Sequence, residues 1–176
     1  METAKISDSN KKLRIPVDQT GLEYDKWAKI FNFPIRTGVS RLSGYCNNAF
    51  DFHWHDGIEL SVVIEGQMEY LVNDKQYILE VGDCVFVNSG AMHSGRSVDG
   101  GDCVYLVISF LTTALDSDPS GYFADAYFGG VMDKHSISSM LFKSDKEEHR
   151  VIADICRSID RAKRGGKDGW ELEVRG

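Results

Sequence analysis

No run of apolar residues in this 176-residue chain approaches the roughly 20 that a membrane-spanning helix needs. The opening stretch METAKISDSNKKLRIP lacks the apolar centre of a secretory signal, so a cytoplasmic protein is expected. Cations are in short supply: 20 Lys and Arg against 27 Asp and Glu leave a formal net charge of −7. Phosphate contacts need clustered Lys and Arg. The one basic cluster, Arg157, Arg161, Lys163, Arg164 and Lys167, reads as the solvated face of a helix and the loop after it. The chain by itself is therefore a poor binder of nucleic acid. Four cysteines, Cys46, Cys84, Cys103 and Cys156, form neither a CxxC pair nor a disulfide-like framework, as expected of a reducing compartment. There are no internal repeats and no low-complexity segment.

What is present is enough for one globular unit. Apolar residues make up 42% of the chain, which excludes disorder for most of it. Residues 1–34 read as an N-terminal arm with first elements, the first dozen being polar. From Phe50 to Phe110 the signal is β. IELSVVIE (58–65) and QMEYLV (67–72) follow one another across Gly66, Asn73-Asp74 turns the chain back into KQYILE, and CVFV (84–87), MHSGRS (92–97) and CVYLVISF (103–110) complete the series. A further strand is expected over 35–41. Many short strands with turns every few residues mean a sandwich or barrel, here over 35–111.

The character changes after Phe110. TTALDSDPSGYFADAYFGG reads as loop and short helix, and residues 112–176 as a helical extension. Its centre is an amphipathic helix over 145–163, opened by a Ser144–Glu147 capping box and stopped at Gly165-Gly166. Val151, Ile152, Ile155, Ile159 and Ala162 lie on one stripe, which on its own fits packing on the chain's own barrel at least as well as a dimer surface. WELEVRG reads as the start of another helix, and this arrangement is expected of a fragment of a longer protein.

The chemistry concentrates in HWHDGIELSVVIEG (53–66). Residues two apart in a strand share a face, so His53 and His55 project together, with Glu59 in the same parity. His93 lies on a distant strand. Three imidazoles and a carboxylate converging inside a small barrel suit one divalent transition metal, Zn, Ni, Fe, Mn or Co, with open positions left over. The alternative is that these side chains merely line a polar cavity, and that His93 is a loop residue. His135 and His149 read as surface residues. Ser61 and Val63 share the parity of Glu59 and are the further pocket candidates. Trp54 points to the opposite face, toward core. Phe86, Tyr105 and Phe110 are expected between sheets or under helices, and Tyr70 and Tyr77 as a cross-strand pair. Asp56 and Glu65 read as solvated carboxylates.

These residues resemble the cupin superfamily. His53-x-His55, three residues, Glu59, six residues and Gly66 match its first motif. Gly82, Gly90 and His93 match the second in register, with Asn88 in place of its proline and Ser97 in place of its asparagine. More narrowly, the chain resembles the N-terminal sensing domain of AraC-type transcription regulators. The resemblance implies a cupin (double-stranded β-helix, jelly-roll) barrel with C-terminal α-helices. It implies a small-molecule effector, sugar-like or another metabolite, around His53, His55, Glu59, Ser61, Val63 and His93. A metal on His53, His55, Glu59 and His93 stays open beside a metal-free pocket. The resemblance also implies a homodimer through Val151, Ile152, Ile155 and Ile159, and DNA contact only through a helix-turn-helix domain beyond Gly176. The competing reading is a stand-alone metal-dependent cupin enzyme, such as a dioxygenase, isomerase or decarboxylase. No placed acid–base pair beyond the metal ligands is apparent, so a non-enzymatic role is expected. A ligand-free structural barrel fits worse, because burying three histidines and a glutamate without partners is costly.

Overall fold

The computed structural model describes residues 12–23, 34–111, 114 and 137–175. Among these residues nine strands are seen: β1 Ile35–Arg41, β2 Ala49–His53, β3 Ile58–Gly66, β4 Met68–Val72, β5 Lys75–Leu79, β6 Cys84–Val87, β7 His93–Ser97, β8 Cys103–Phe110 and β9 Ser139–Phe142. Two helices follow, α1 Glu147–Gly165 and α2 Trp170–Arg175. The strands form two antiparallel sheets, one ordered β1-β8-β3-β6-β9 and the other β2-β7-β4-β5. This is the barrel the cupin resemblance implies.

Strand alternation decides which side chain goes where. On β3, Glu59, Ser61 and Val63 face inward, while Leu60, Val62 and Ile64 face the other way; both sides are buried, which is why the run reads as continuously apolar. Between the sheets lie Phe50, Val63, Met68, Tyr70, Val72, Leu79, Val85, Val87 and Tyr105. The outer face of the five-stranded sheet carries Ile35, Val62, Cys84, Leu106 and Ile108, covered by Ala153, Cys156, Ile152 and Ile159 of α1. Tyr105 thus packs between sheets and Phe110 under the helix, whereas Phe86 is half-buried opposite Met140 of the edge strand. Tyr70 and Tyr77 are register partners across the hairpin.

Four expectations need correction. The barrel does not end at 111: the short SMLF segment, taken as part of the helical extension, adds β9 to β6, and four residues are too few to show alternation. Helix α1 starts at Glu147 without a capping box. Its N-cap is Lys146, with no side-chain cap, and Ser144 instead donates to Val81 O while its backbone N–H donates to Asp83. The stripe on α1 also splits. Ile152 and Ile159 pack on the chain's own barrel, while Val151 and Ile155 are more than half exposed, because a run spanning 151, 152, 155 and 159 is wider than the contact the sheet offers. Trp54 is half-buried rather than core: residues 20–23 run beside it, and its indole N–H donates to Thr20 O at 3.2 Å. Residues 12–23 of the arm touch the barrel through bridges Leu13–Tyr45 and Leu22–Trp54. The expectations for the first eleven residues, for His135 and for nearly all of 112–130 fall outside the described residues.

Candidate metal and effector site

The strands bring the four sequence-marked residues together. His53 ends β2 and pairs with His93 at the start of β7. His55 lies just past β2, in the turn before β3, and Glu59 sits second on β3. One ligand atom each from His53, His55 and His93 falls within 4.8 Å of the others. All four side chains are buried.

The hydrogen bonds fix the chemistry of each ring. Nδ1 of His53 lies 3.0 Å from Asp51 O, Nδ1 of His55 3.0 Å from Gly57 O, and Nδ1 of His93 2.9 Å from Ala91 O. A carbonyl only accepts, so each Nδ1 carries the proton and donates. In the neutral rings every Nε2 then presents a lone pair inward, the tautomer that a metal-ligating histidine adopts. His93 Nε2 is buried with no hydrogen-bond partner. His55 Nε2 lies 3.3 Å from Glu59 Oε2, and His93 Nε2 lies 4.0 Å from the same oxygen. A lone pair aimed at a carboxylate oxygen is tolerable only with a cation between or beside them, either a proton or a metal ion. Removing a buried acceptor from water without a partner costs about 1–3 kcal/mol, so the orphaned Nε2 asks for an occupant. Three nitrogens and one oxygen fit a divalent transition metal with open coordination positions.

The electrostatics distinguish the three rings. Burial pushes His53 down, and burial pushes His93 down to about 4, beyond what Glu59 restores. Both stay neutral and free to ligate near neutral pH. Burial also lowers His55, but its contact with Glu59 more than offsets this and raises it. Burial alone would raise Glu59; the His55 hydrogen bond and the neighbouring imidazoles hold it ionised, well below the usual carboxylate range.

A cavity of about 170 Å³ opens beside this cluster. Its floor is His53, Glu59 and Ser109, its walls include Phe50, Tyr105, Val107, Gly38 and Ser40, and Ile15, Glu23 and Arg36 also line it. Arg36 and Glu23 form an ion pair there at 3.5 Å. Of the six residues expected around an effector, only His53 and Glu59 line this space. Ser61 instead donates to Glu59 Oε1 at 2.9 Å, and Val63 sits in the core between the sheets. Interior parity is shared along β3, but the cavity opens along β1 and β8 and leaves the far half of β3 packed. Ser109, Gly38 and Ser40 escaped the sequence reading. Ser109 shares parity with Tyr105 and Val107 on β8, and that alternation could have found it.

Residues 41–167 match the family model described as the AraC-like ligand binding domain. The chain belongs to that family. It is 26% identical over 76 residues to a protein of Bacillus subtilis (strain 168) described as the uncharacterized HTH-type transcriptional regulator YdeC; the match covers 43% of this chain and 26% of that protein. The chain thus spans about a quarter of that relative's length. Among solved structures it is similar to a cupin-2 domain containing protein from Shewanella frigidimarina NCIMB 400, at 20% identity over 44% of this chain and 71% of that one, TM-score 0.37. It is also similar to the DMSP lyase DddQ from Ruegeria pomeroyi DSS-3, at 26% identity over 44% of this chain and 38% of that one, TM-score 0.39. Among the described residues of this AraC-like domain, no helix is long and apolar enough to cross a membrane.

Proposed function

We propose that this AraC-like domain is the effector-sensing and dimerising part of a cytoplasmic transcription regulator, and that it binds its effector in the barrel beside a divalent transition metal. The observation that carries the reading is the cavity lined by His53, Glu59 and Ser109, placed against the clustered rings of His53, His55 and His93, where Nε2 of His93 is buried without a partner. His53, His55, His93 and Glu59 would hold the ion. When bound, the ion would offer a Lewis-acidic seat for an oxygen of the effector. The protein's own part is to shape the cavity, to exclude water with Phe50, Tyr105 and Val107, and to present the Ser109 hydroxyl. The cavity suits a small polar metabolite, sugar-like or otherwise. A binding rather than catalytic role is supported by the family and by the HTH-type relative. DNA contact would belong to a helix-turn-helix unit outside this chain.

Gly38 supplies the test. A Cβ built there meets nothing within 4 Å, so the position is open space at the cavity wall. Gly38→Leu is expected to fill the cavity while leaving the fold intact. In a thermal-shift screen of small metabolites against the metal-loaded domain, compounds that raise the melting temperature of the natural protein should have no effect on Gly38→Leu. Hits that survive the substitution would place the effector elsewhere and sink the reading.

The proposed dimer surface is the exposed part of α1. Val151 and Ile155 stand 55% and 53% exposed, one turn apart. Ile159 and Val174 line the groove between the helices. Isolated exposed aliphatics are ordinary, but Val151 and Ile155 share one groove with Ile159, Ala162 and Val174. Ile155→Glu is expected to convert a dimer into a folded monomer in sedimentation velocity. An unchanged dimer would move the contact to another face.

A further inference from the structure

The two oxygens of Glu59 live in different surroundings. Oε1 accepts from Tyr70 Oη at 2.8 Å and from Ser61 Oγ at 2.9 Å. Oε2 faces His55 Nε2 at 3.3 Å, Ser109 Oγ at 3.4 Å and His93 Nε2 at 4.0 Å. Two short hydroxyl bonds on Oε1 match in number the two lone pairs a carboxylate oxygen offers. The contacts on Oε2 are long and loose. Tyr70 is itself locked: it is fully buried, its ring lies parallel to that of His93 at 6.0 Å and 7°, and Phe50 meets it edge-on at 5.7 Å. Neither Tyr70 nor Ser61 lines the cavity, whereas Ser109 and Glu59 do. The hydroxyls that grip Oε1 therefore come from residues outside the cavity lining, and the loosely held oxygen belongs to the ligand cluster.

We propose that Tyr70 is the positioning residue of the metal centre: with Ser61 it occupies Oε1 of Glu59, so that the carboxylate meets the ion through Oε2 alone and the remaining coordination positions open toward the cavity. The proposal rests on the metal reading above. A monodentate carboxylate leaves one more position for the effector than a chelating one. Partners that orient a metal ligand are worth about 10–100-fold in affinity.

The test uses cobalt(II) as probe, titrated into the metal-free chain against a competing chelator, with the visible d–d spectrum recorded. Tyr70→Phe keeps the ring on His93 and Phe50 and removes one hydroxyl. It should weaken cobalt binding about 10–100-fold. Ser61→Ala should weaken it in the same direction. The double variant frees Oε1, and its d–d absorptivity should fall as the carboxylate chelates and the coordination number rises. A merely structural role would move the melting temperature but not the spectrum. Tyr70→Phe and Ser61→Ala variants that match the natural chain in both affinity and spectrum would overturn the proposal while leaving the metal site standing. If Tyr70→Phe fails to fold, Ser61→Ala decides by the same two readouts. A natural chain that takes up no cobalt would overturn the metal reading itself, and this proposal with it.

Discussion

Gly66→Ala is expected to lower the melting temperature by roughly 10 °C or more, whereas Gly100→Ala lowers it by only a few degrees. Both glycines have positive φ, +75° and +71°, so each alanine suffers the left-handed backbone cost of about 1–2 kcal/mol. They differ in what the new methyl group meets. At Gly100 nothing lies within 4 Å. At Gly66 a Cβ would stand 2.0 Å from the carbonyl oxygen of Asp102, a backbone atom. That oxygen has nowhere to go. The Asp102 carboxylate accepts from the Ser43 backbone N–H at 2.9 Å, from Ser43 Oγ at 2.8 Å, from the Cys103 N–H at 2.8 Å and from Arg41 at 2.7 Å, which ties the start of β8 to the end of β1 and the turn after it. Gly66 and Cys103 are register partners, so relief would have to part β3 from β8 where β3 ends and β8 begins. Overpacking of this kind costs about 1–3 kcal/mol and sometimes more. Added to the backbone cost, it reaches a sizeable share of the roughly 5–15 kcal/mol that holds a domain together. At this chain length each kcal/mol is worth about 2–4 °C. Thermal unfolding of the two variants side by side checks it. Equal shifts would mean that β3 and Asp102 do not approach as closely as the geometry requires.

The glycine at 66 shows what the sequence makes legible and what it hides. It ends the first cupin motif and reads there as a turn residue; that a backbone oxygen fills the space of its missing Cβ is a long-range fact without local signature. The same division runs through the site. Alternation along 59, 61 and 63 correctly puts Glu59 inside, and HxH spacing leads to His53 and His55 even though β2 ends at His53 and His55 follows in a turn. Alternation does not say how far along a strand the interior is packed, which is why Ser61 and Val63 lie outside the cavity lining and Ser109, on an apolar strand, lies within it. Arg36, Gly38 and Ser40 form a wall only because β1 pairs with β8. Tyr70 carried a readable clue: it alternates inward with Met68 and Val72, and a tyrosine on an apolar inner face must find a partner for its hydroxyl. On α1 the apolar stripe is plain, but its rotation about the helix axis is set by the sheet beneath. The contact falls on Ile152, Cys156 and Ile159, not on Val151 and Ile155.

His93→Leu should abolish stoichiometric metal binding while leaving the metal-free protein about as stable as before. The two halves of this expectation have separate causes. In the metal-free chain His93 is 1% exposed, its Nε2 has no partner, and burial holds its pKa near 4. Leucine of similar volume removes the orphaned nitrogen, worth about 1–3 kcal/mol, and leaves the Ala91 carbonyl without its Nδ1–H donor, at a similar cost of about 1–3 kcal/mol. The balance is close to zero. In a metal-bound chain the same nitrogen would be one of four protein ligands. Structural zinc sites with four ligands are worth about 10–16 kcal/mol, which scales to the order of 3 kcal/mol per ligand, or two orders of magnitude in affinity. The natural domain should therefore melt higher with metal than without, by an increment that corresponds to about 4 kcal/mol at a thousandfold excess over Kd, and that increment should vanish in His93→Leu. Elemental analysis beside paired melting curves reads both halves. A variant that keeps one equivalent of metal would remove His93 from the ligand set. A natural domain that holds no metal, yet gains stability on His93→Leu, would make the three imidazoles the hydrogen-bonding wall of an effector cavity, with the lone pair of His93 waiting for a donor on the effector itself.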